Sequence, residues 1–183
     1  MGVYSRLSNA QSKNFSKVAG GIAILATSGL VLSGCAGSSQ EETFPVVKIG
    51  TALPVTGTLA FLGPPEEAGV ALAVKDVNEA NKGVTLEVVY GDSGDLDNKA
   101  YEQEIPRLLN EDVRAIVGAA SSGVSLQFID SVTQEAGVLM MSPANTSTAF
   151  SDYEDDGLYW RTAPADFLQG EALGTLLAQD GHE

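Results

Sequence analysis

From Phe44 onward short apolar runs alternate along the chain with segments whose apolar positions recur at helical spacing. Val46 to Pro54, VVKIGTALP, is a short β-rich run. After a turn rich in Gly and Pro, Glu66 to Ala80 places Val70, Val74 and Val77 at helical spacing. VTLEVVYGD reads as a second strand, stopped by Gly91-Asp92-Ser93-Gly94. Asp97 stands where an N-cap is expected for a helix running to Asn110, with Ile105, Leu108 and Leu109 inward. Pro106 inside it predicts a kink or a late start. VRAIVGAA is a third strand, and Ser122 to Ala136 a third helix with Val124, Phe128 and Val132 inward. GVLMM is a fourth strand, GLYWRTAP a fifth extended segment, and Ala165 to Gln179 a last helix. Strands that are apolar throughout, alternating with helices, define an α/β fold, doubly wound, with a mostly parallel sheet covered on both faces.

In such a sheet the loops after strands one, three and four line one edge. They read Thr56-Gly57-Thr58-Leu59-Ala60-Phe61-Leu62, Ala120-Ser121-Ser122-Gly123 and Ser142-Pro143-Ala144-Asn145-Thr146. All three are built of small residues, hydroxyls or Gly, which let backbone N–H and C=O groups approach a small polar ligand. Open parallel sheets bind ligands at such strand ends. The three loops therefore form one candidate pocket.

Ahead of this alternating region the pattern is different. Arg6, Lys13 and Lys17 are the only charges in the first 34 residues, and Val18 to Val31 is uncharged. A basic stretch followed by about 14 apolar residues is a signal-peptide layout, too short for a comfortable membrane span. Residues 1–34 are therefore set apart from the fold. The segment ends in Leu32-Ser33-Gly34-Cys35, and Cys35 is the one cysteine of the 183 residues. That tetrapeptide resembles the lipobox of bacterial lipoproteins, which implies lipidation of Cys35 and anchoring at the outer face of a membrane. Small and polar residues follow, so 35–44 reads as a flexible tether. A single thiol leaves no internal disulfide, and the fold must rest on its core.

At 44% hydrophobic and 19% charged, the chain is composed to bury a core. Its 24 acidic against 10 basic residues oppose binding to nucleic acid or anionic lipid.

Catalytic chemistry finds no footing. His182, the only histidine, stands one residue from the end, so a Ser-His-Asp triad within this chain is not expected. Ser121 and Ser122 do not occupy a G-x-S-x-G elbow, and no phosphate-cradling glycine motif follows a strand. GDSGDLDNK, Gly91 to Lys99, lacks the Gly and closing Glu of a calcium loop and reads as a strand-to-helix loop ending in an N-cap. SDYEDDG, Ser151 to Gly157, is a solvated acidic turn. Asn145-Thr146-Ser147 matches a glycosylation sequon, a chance match beside a bacterial-type lipobox. The expectation is no enzyme, no cofactor and no metal.

Taken in order, the lipobox, KIGTALPVTGTLAFLG, GVALAVKDVNEA, GDSGDLDNKAYEQEIPRLLNEDVRAIVGAASSGVSL, GVLMMSPANTS and YWRTAPADFLQGEAL resemble the substrate-binding proteins of branched-chain amino acid ABC importers. The resemblance runs from about Lys48 to the C-terminus. It implies the type I periplasmic-binding-protein fold, in which two α/β lobes close on a ligand, with 45–164 as an incomplete first lobe and 165–183 as the start of a second. It also implies that Ser122 donates a hydroxyl to the ligand's α-carboxylate, with Ser121 beside it. Thr146 would meet the same carboxylate through its N–H and hydroxyl, and the Ala144 carbonyl would accept from the α-ammonium. Leu62 would contact the ligand's side chain. Asn145 stands where many members have a small residue and Leu62 where a close relative has an aromatic, which leaves side-chain preference open.

The function implied is capture of a branched-chain or other amino acid, or a related small polar solute, outside the cytoplasm by a monomer that delivers it to ABC permease subunits. The family commonly runs to twice this length, so the chain reads as an N-terminal fragment that binds weakly alone. The alternative is the extracellular sensing domain of a receptor with the same fold. A lipid anchor transmits no conformational change across a membrane, which favours transport.

Overall fold

A computed structural model of the chain describes residues 44–182. The signal segment, Cys35 and all but the last residue of the tether lie outside the described residues. Five strands, β1 (Val46–Ala52), β2 (Thr85–Val89), β3 (Ala115–Gly118), β4 (Leu139–Ser142) and β5 (Tyr159–Arg161), form one sheet in the order β2-β1-β3-β4-β5. Every pairing is parallel, with Gly50 opposite Val89 and Ile116, and Met141 opposite Val117 and Trp160. The helices are α1 (Gly63–Ala80), α2 (Tyr101–Asn110), α3 (Ser122–Asp130) and α4 (Asp166–Gln179). Reversal of strand order at β1 and β3 makes the doubly wound plan, and each strand falls within the segment its apolar run predicts, except that β4 runs one residue farther, to Ser142.

One face carries the core. Ile105 and Leu108 of α2 and Val124, Phe128 and Ile129 of α3 bury against Ile116, Met140 and Tyr159 of the strands. Alternation along the strands sends the neighbouring residues Val117, Met141 and Trp160 to the other side. Helices stand on both faces, as expected, but α1 covers the second only in part. Residues Val70, Ala73, Val74 and Val77 of α1 stand beside Ile49, Val117 and Met141 around a hollow of about 490 Å3. Farther along, Leu139, Met141 and Trp160 are exposed, and α4 buries none of its residues. Glu66 also borders the hollow; its Oε2 is buried without a partner, and desolvation raises its carboxyl above the usual range.

Two helix starts differ from expectation. α1 begins at Gly63, three residues early, because Pro64 and Pro65 fall in the first turn, where a missing N–H costs nothing. α2 begins at Tyr101, and Asp97 does not cap it. Instead Asp95 Oδ1 accepts the Asp97 and Asn98 N–H groups, and Asn98 Oδ1 accepts those of Asp95 and Ala100. A turn organised by side chains thus replaces the first helical turn and gives the late start, while Pro106 still lies inside α2. α3 runs on as a wide π turn over Ser131–Glu135, where Ser131 Oγ and Thr133 Oγ1 donate back to the Phe128 and Ile129 carbonyls.

Candidate functional site

Because β1, β3 and β4 are adjacent and parallel, their following loops emerge side by side at one edge. Each is held by side chains that the apolar pattern does not reveal. The loop after β1 is pinned from β2's loop: Asp92 Oδ1 accepts the N–H groups of Val55, Thr56 and Gly94 at 2.8–3.1 Å, and Oδ2 accepts the Thr56 hydroxyl at 2.5 Å. Asp95 Oδ2 takes the Thr58 N–H at 2.9 Å. Partial burial by itself would raise the Asp92 carboxyl. The Thr56 hydroxyl and the Gly94, Thr56 and Val55 N–H groups outweigh it and hold the group below its ordinary 3.8. Asp95 is lowered chiefly by the Asn98 and Thr58 N–H groups.

These carboxylates are therefore occupied by the backbone. Among the described residues no group of three His, Cys, Asp or Glu is placed to hold a metal ion. The acidic loop, read from sequence as a plain connection, is a brace for its neighbour.

A pH dependence follows from the brace. An acid whose folded value lies below its unfolded one stabilises the fold above the unfolded value, and that contribution is lost as pH falls through the folded one. Melting of the chain between pH 6 and pH 2.5 should therefore show the gap between wild type and Asp92→Ala closing below pH 4. A gap that stays constant with pH would show that the carboxylate charge contributes nothing.

The loops after β3 and β4 meet in a buried network. Ser142 Oγ donates to the Ala119 carbonyl at 2.6 Å and accepts the Ala144 and Asn145 N–H groups. Asn145 is fully buried, and its Nδ2 donates to the Ala119 and Ala120 carbonyls at 3.0 and 2.9 Å. Its Oδ1 accepts the Tyr159 hydroxyl at 2.8 Å, while burial pushes that phenol up to about 12. The side chain of Asn145 thus faces inward and serves the structure as a strut. Ser121 is the N-cap of α3, its Oγ accepting the Val124 N–H at 3.4 Å.

On the open side of this network lies Ser122, half-buried at the first position of α3. The Thr146 and Ser147 N–H groups converge on Ser122 Oγ, each at 3.3 Å. Successive N–H groups aimed at one point form an anion-binding concavity, and here a serine oxygen occupies it through two long bonds. The first turn of α3 carries no acidic residue, so the positive end of its dipole is unopposed at the same place. Among the described residues, neither the Ala144 carbonyl nor the Thr146 hydroxyl has a hydrogen-bond partner. Leu62 is half-buried at the N-cap of α1, in the neighbouring loop.

Five of the six ligand-site residues named from the sequence, Ser121, Ser122, Ala144, Asn145 and Thr146, thus lie in one corner, two of them as cap and strut. Ser142, Tyr159 and Asp92 were not among them, because the bonds that matter, from Ser142 to the Ala119 carbonyl, from Tyr159 to Asn145 and from the Val55 and Thr56 N–H groups to Asp92, span long sequence separations that leave no local signal.

A doubly wound sheet with polar groups gathered at its strand ends has the architecture in which α/β proteins bind small ligands. Comparison with known proteins agrees: a family model described as "Periplasmic binding protein" matches residues 46–183. The chain belongs to this family, with the type I fold of the branched-chain amino acid binding proteins. Members of the family bind solutes and are not enzymes. The leucine-, isoleucine-, valine-, threonine- and alanine-binding protein of Pseudomonas aeruginosa is 32% identical over 145 residues, covering 78% of this chain and 38% of that protein. Leu/Ile/Val-binding protein homolog 2 of Brucella abortus is 30% identical over 75% of this chain and 37% of its own length. A substrate-binding protein of Desulfitobacterium hafniense, solved as a complex with Leu, superposes with a TM-score of 0.63 at 29% identity, over 75% of this chain and 40% of that one. The chain thus spans about two fifths of the length of these relatives.

Proposed function

We propose that this chain supplies the first lobe of an extracytoplasmic solute-binding lipoprotein that captures a branched-chain or other amino acid and delivers it to an ABC-type permease. The observation that carries this reading is the convergence of the Thr146 and Ser147 N–H groups on Ser122 Oγ beside the free Ala144 carbonyl. A carboxylate oxygen suits the first and an ammonium the second, so the corner fits an α-amino acid zwitterion. In this reading Ser122 and Thr146 hold the carboxylate, Ala144 takes the ammonium, and Leu62 meets the ligand's side chain. Ser121 and Asn145 act through the loops they secure. Relatives named for leucine, isoleucine and valine support the ligand class. Cys35 carries the lipid, which holds a monomer at the membrane surface while the ligand-bound form engages the permease.

With contacts from one side only, desolvation of the zwitterion is incomplete, and affinity for leucine should fall on the order of 1 mM. Titration of the isotopically labelled chain should then shift the Ser122, Thr146 and Ser147 amides saturably. Thr146→Val keeps the shape, removes the hydroxyl and should weaken binding about tenfold, since a hydrogen bond to a charged group contributes about 1.5 kcal/mol. If leucine, isoleucine and valine leave all three amides unmoved, the assignment fails.

A further inference from the structure

The Thr146–Ser147 peptide unit faces two ways. Its N–H, from Ser147, points to Ser122 Oγ at 3.3 Å. Its carbonyl, from Thr146, accepts the Asp166 N–H at 2.8 Å. Asp166 is the first residue of α4, beyond the segment that leaves the sheet after β5. That segment is fastened to the same loop at three other points: Thr162 N–H to the Ser142 carbonyl, Thr162 Oγ1 to the Pro143 carbonyl, and Arg161 Nη1 to the Ser147 carbonyl at 2.6 Å. Ala165 is the only buried residue between Thr162 and His182. Packing therefore does little to orient α4, and its first-turn N–H is its link to the loop.

We propose that the Thr146–Ser147 peptide is a relay, and that Ser122 and the Asp166 N–H are positioning groups at its two ends. A planar trans peptide moves as one body, so what pulls on its N–H tilts its carbonyl. Aligned hydrogen bonds also polarise one another. A carboxylate that takes over the N–H from Ser122 therefore changes the bond that sets the departure of α4. The coupling deepens the solute-binding reading and rests on it only for the identity of the carboxylate.

The relay itself is tested without ligand. Amide hydrogen exchange on the chain should show the Asp166 amide exchanging about tenfold faster in Ser122→Ala and at the wild-type rate in Ser122→Thr, which keeps the acceptor oxygen. The Met140 amide, bonded to the Leu158 carbonyl, should be unaffected in both. In the other direction, Asp166→Pro deletes the N–H at a helix position that tolerates proline, after Ala165, whose ψ of 148° suits a residue before proline. It should move the Ser147 amide resonance, whereas Asp166→Ala should not. An Asp166 exchange rate indifferent to Ser122→Ala, or a Ser147 resonance indifferent to Asp166→Pro, overturns the relay. Added leucine should shift the Asp166 and Thr146 amides with one midpoint, and a Thr146 shift without one at Asp166 also overturns it. Silence of every amide toward leucine would instead count against the solute-binding reading, with the exchange measurements still deciding the relay.

Discussion

Asn145→Ala should cost the fold about 4 kcal/mol, a larger loss than a surface asparagine in a loop would give. The substitution removes a side chain with no solvent exposure, strands two buried groups, the Ala120 carbonyl and the Tyr159 hydroxyl, and takes one donor from the Ala119 carbonyl, which keeps the Ser142 hydroxyl. Each unsatisfied buried group costs about 1–3 kcal/mol, and the vacated space adds to it. For a folded region of this size the loss corresponds to a fall in Tm of roughly 10 °C.

Two companions make the result specific. Tyr159→Phe deletes one bond of the network and should cost about 1.5 kcal/mol. The double variant should cost less than the sum, because the stranded hydroxyl and the stranded amide oxygen belong to the same bond. Strict additivity in calorimetric melts would show that the two side chains are uncoupled. Because Asn145 ties the loop after β4 to the loop after β3, Asn145→Ala should also release the Thr146 and Ser147 N–H groups from Ser122.

Gly63→Ala should destabilise the chain by about 3 kcal/mol although it places a better helix former in α1. A Cβ at Gly63 would collide with the Pro54 carbonyl oxygen, a backbone atom with no freedom to rotate away. Either α1 or the loop after β1 must move, and such overpacking costs about 1–3 kcal/mol before any loss of loop contacts. The matched control is Gly69→Ala on the same helix, where the new methyl meets nothing within 4 Å. There the propensity gain of about 1 kcal/mol stands alone, and the variant should be more stable than wild type. Equal melting temperatures for the two variants would mean that the close approach of Gly63 to Pro54 does not matter. Since Leu62 and Val55 flank this contact, Gly63→Ala should weaken amino-acid binding as well, whereas Gly69→Ala should leave it alone.

The two sites illustrate what a linear reading reaches. The apolar runs and helical spacings located the five strands and the four α-helices of the described residues. Ends moved where local chemistry intervened, as at Asp97, where the Asp95 and Asn98 side chains substitute for a helical turn. Coverage of the second sheet face is only partial: Leu139, Met141 and Trp160 are as apolar as core residues yet stand exposed. Composition cannot tell a strand residue facing a helix from one facing solvent, since alternation reports sides and not neighbours.

Sequence by itself determined the α/β class, the strand-end loops that carry the candidate site, the family, and the presence of hydroxyls and bare backbone in SPANTS. Those features are local, set by periodicity, turn chemistry and motif order over a few residues. Tertiary structure alone decided the division of labour among them. It turned Asn145 inward onto Tyr159, made Ser121 a cap, aimed the Thr146 and Ser147 N–H groups at Ser122, and spent Asp92 on the loop after β1. Those hydrogen bonds that join one loop to another close over separations of 14 to 37 residues. A donor and acceptor so far apart are brought together only when the sheet order is set, and nothing in either one's neighbourhood along the chain records the other.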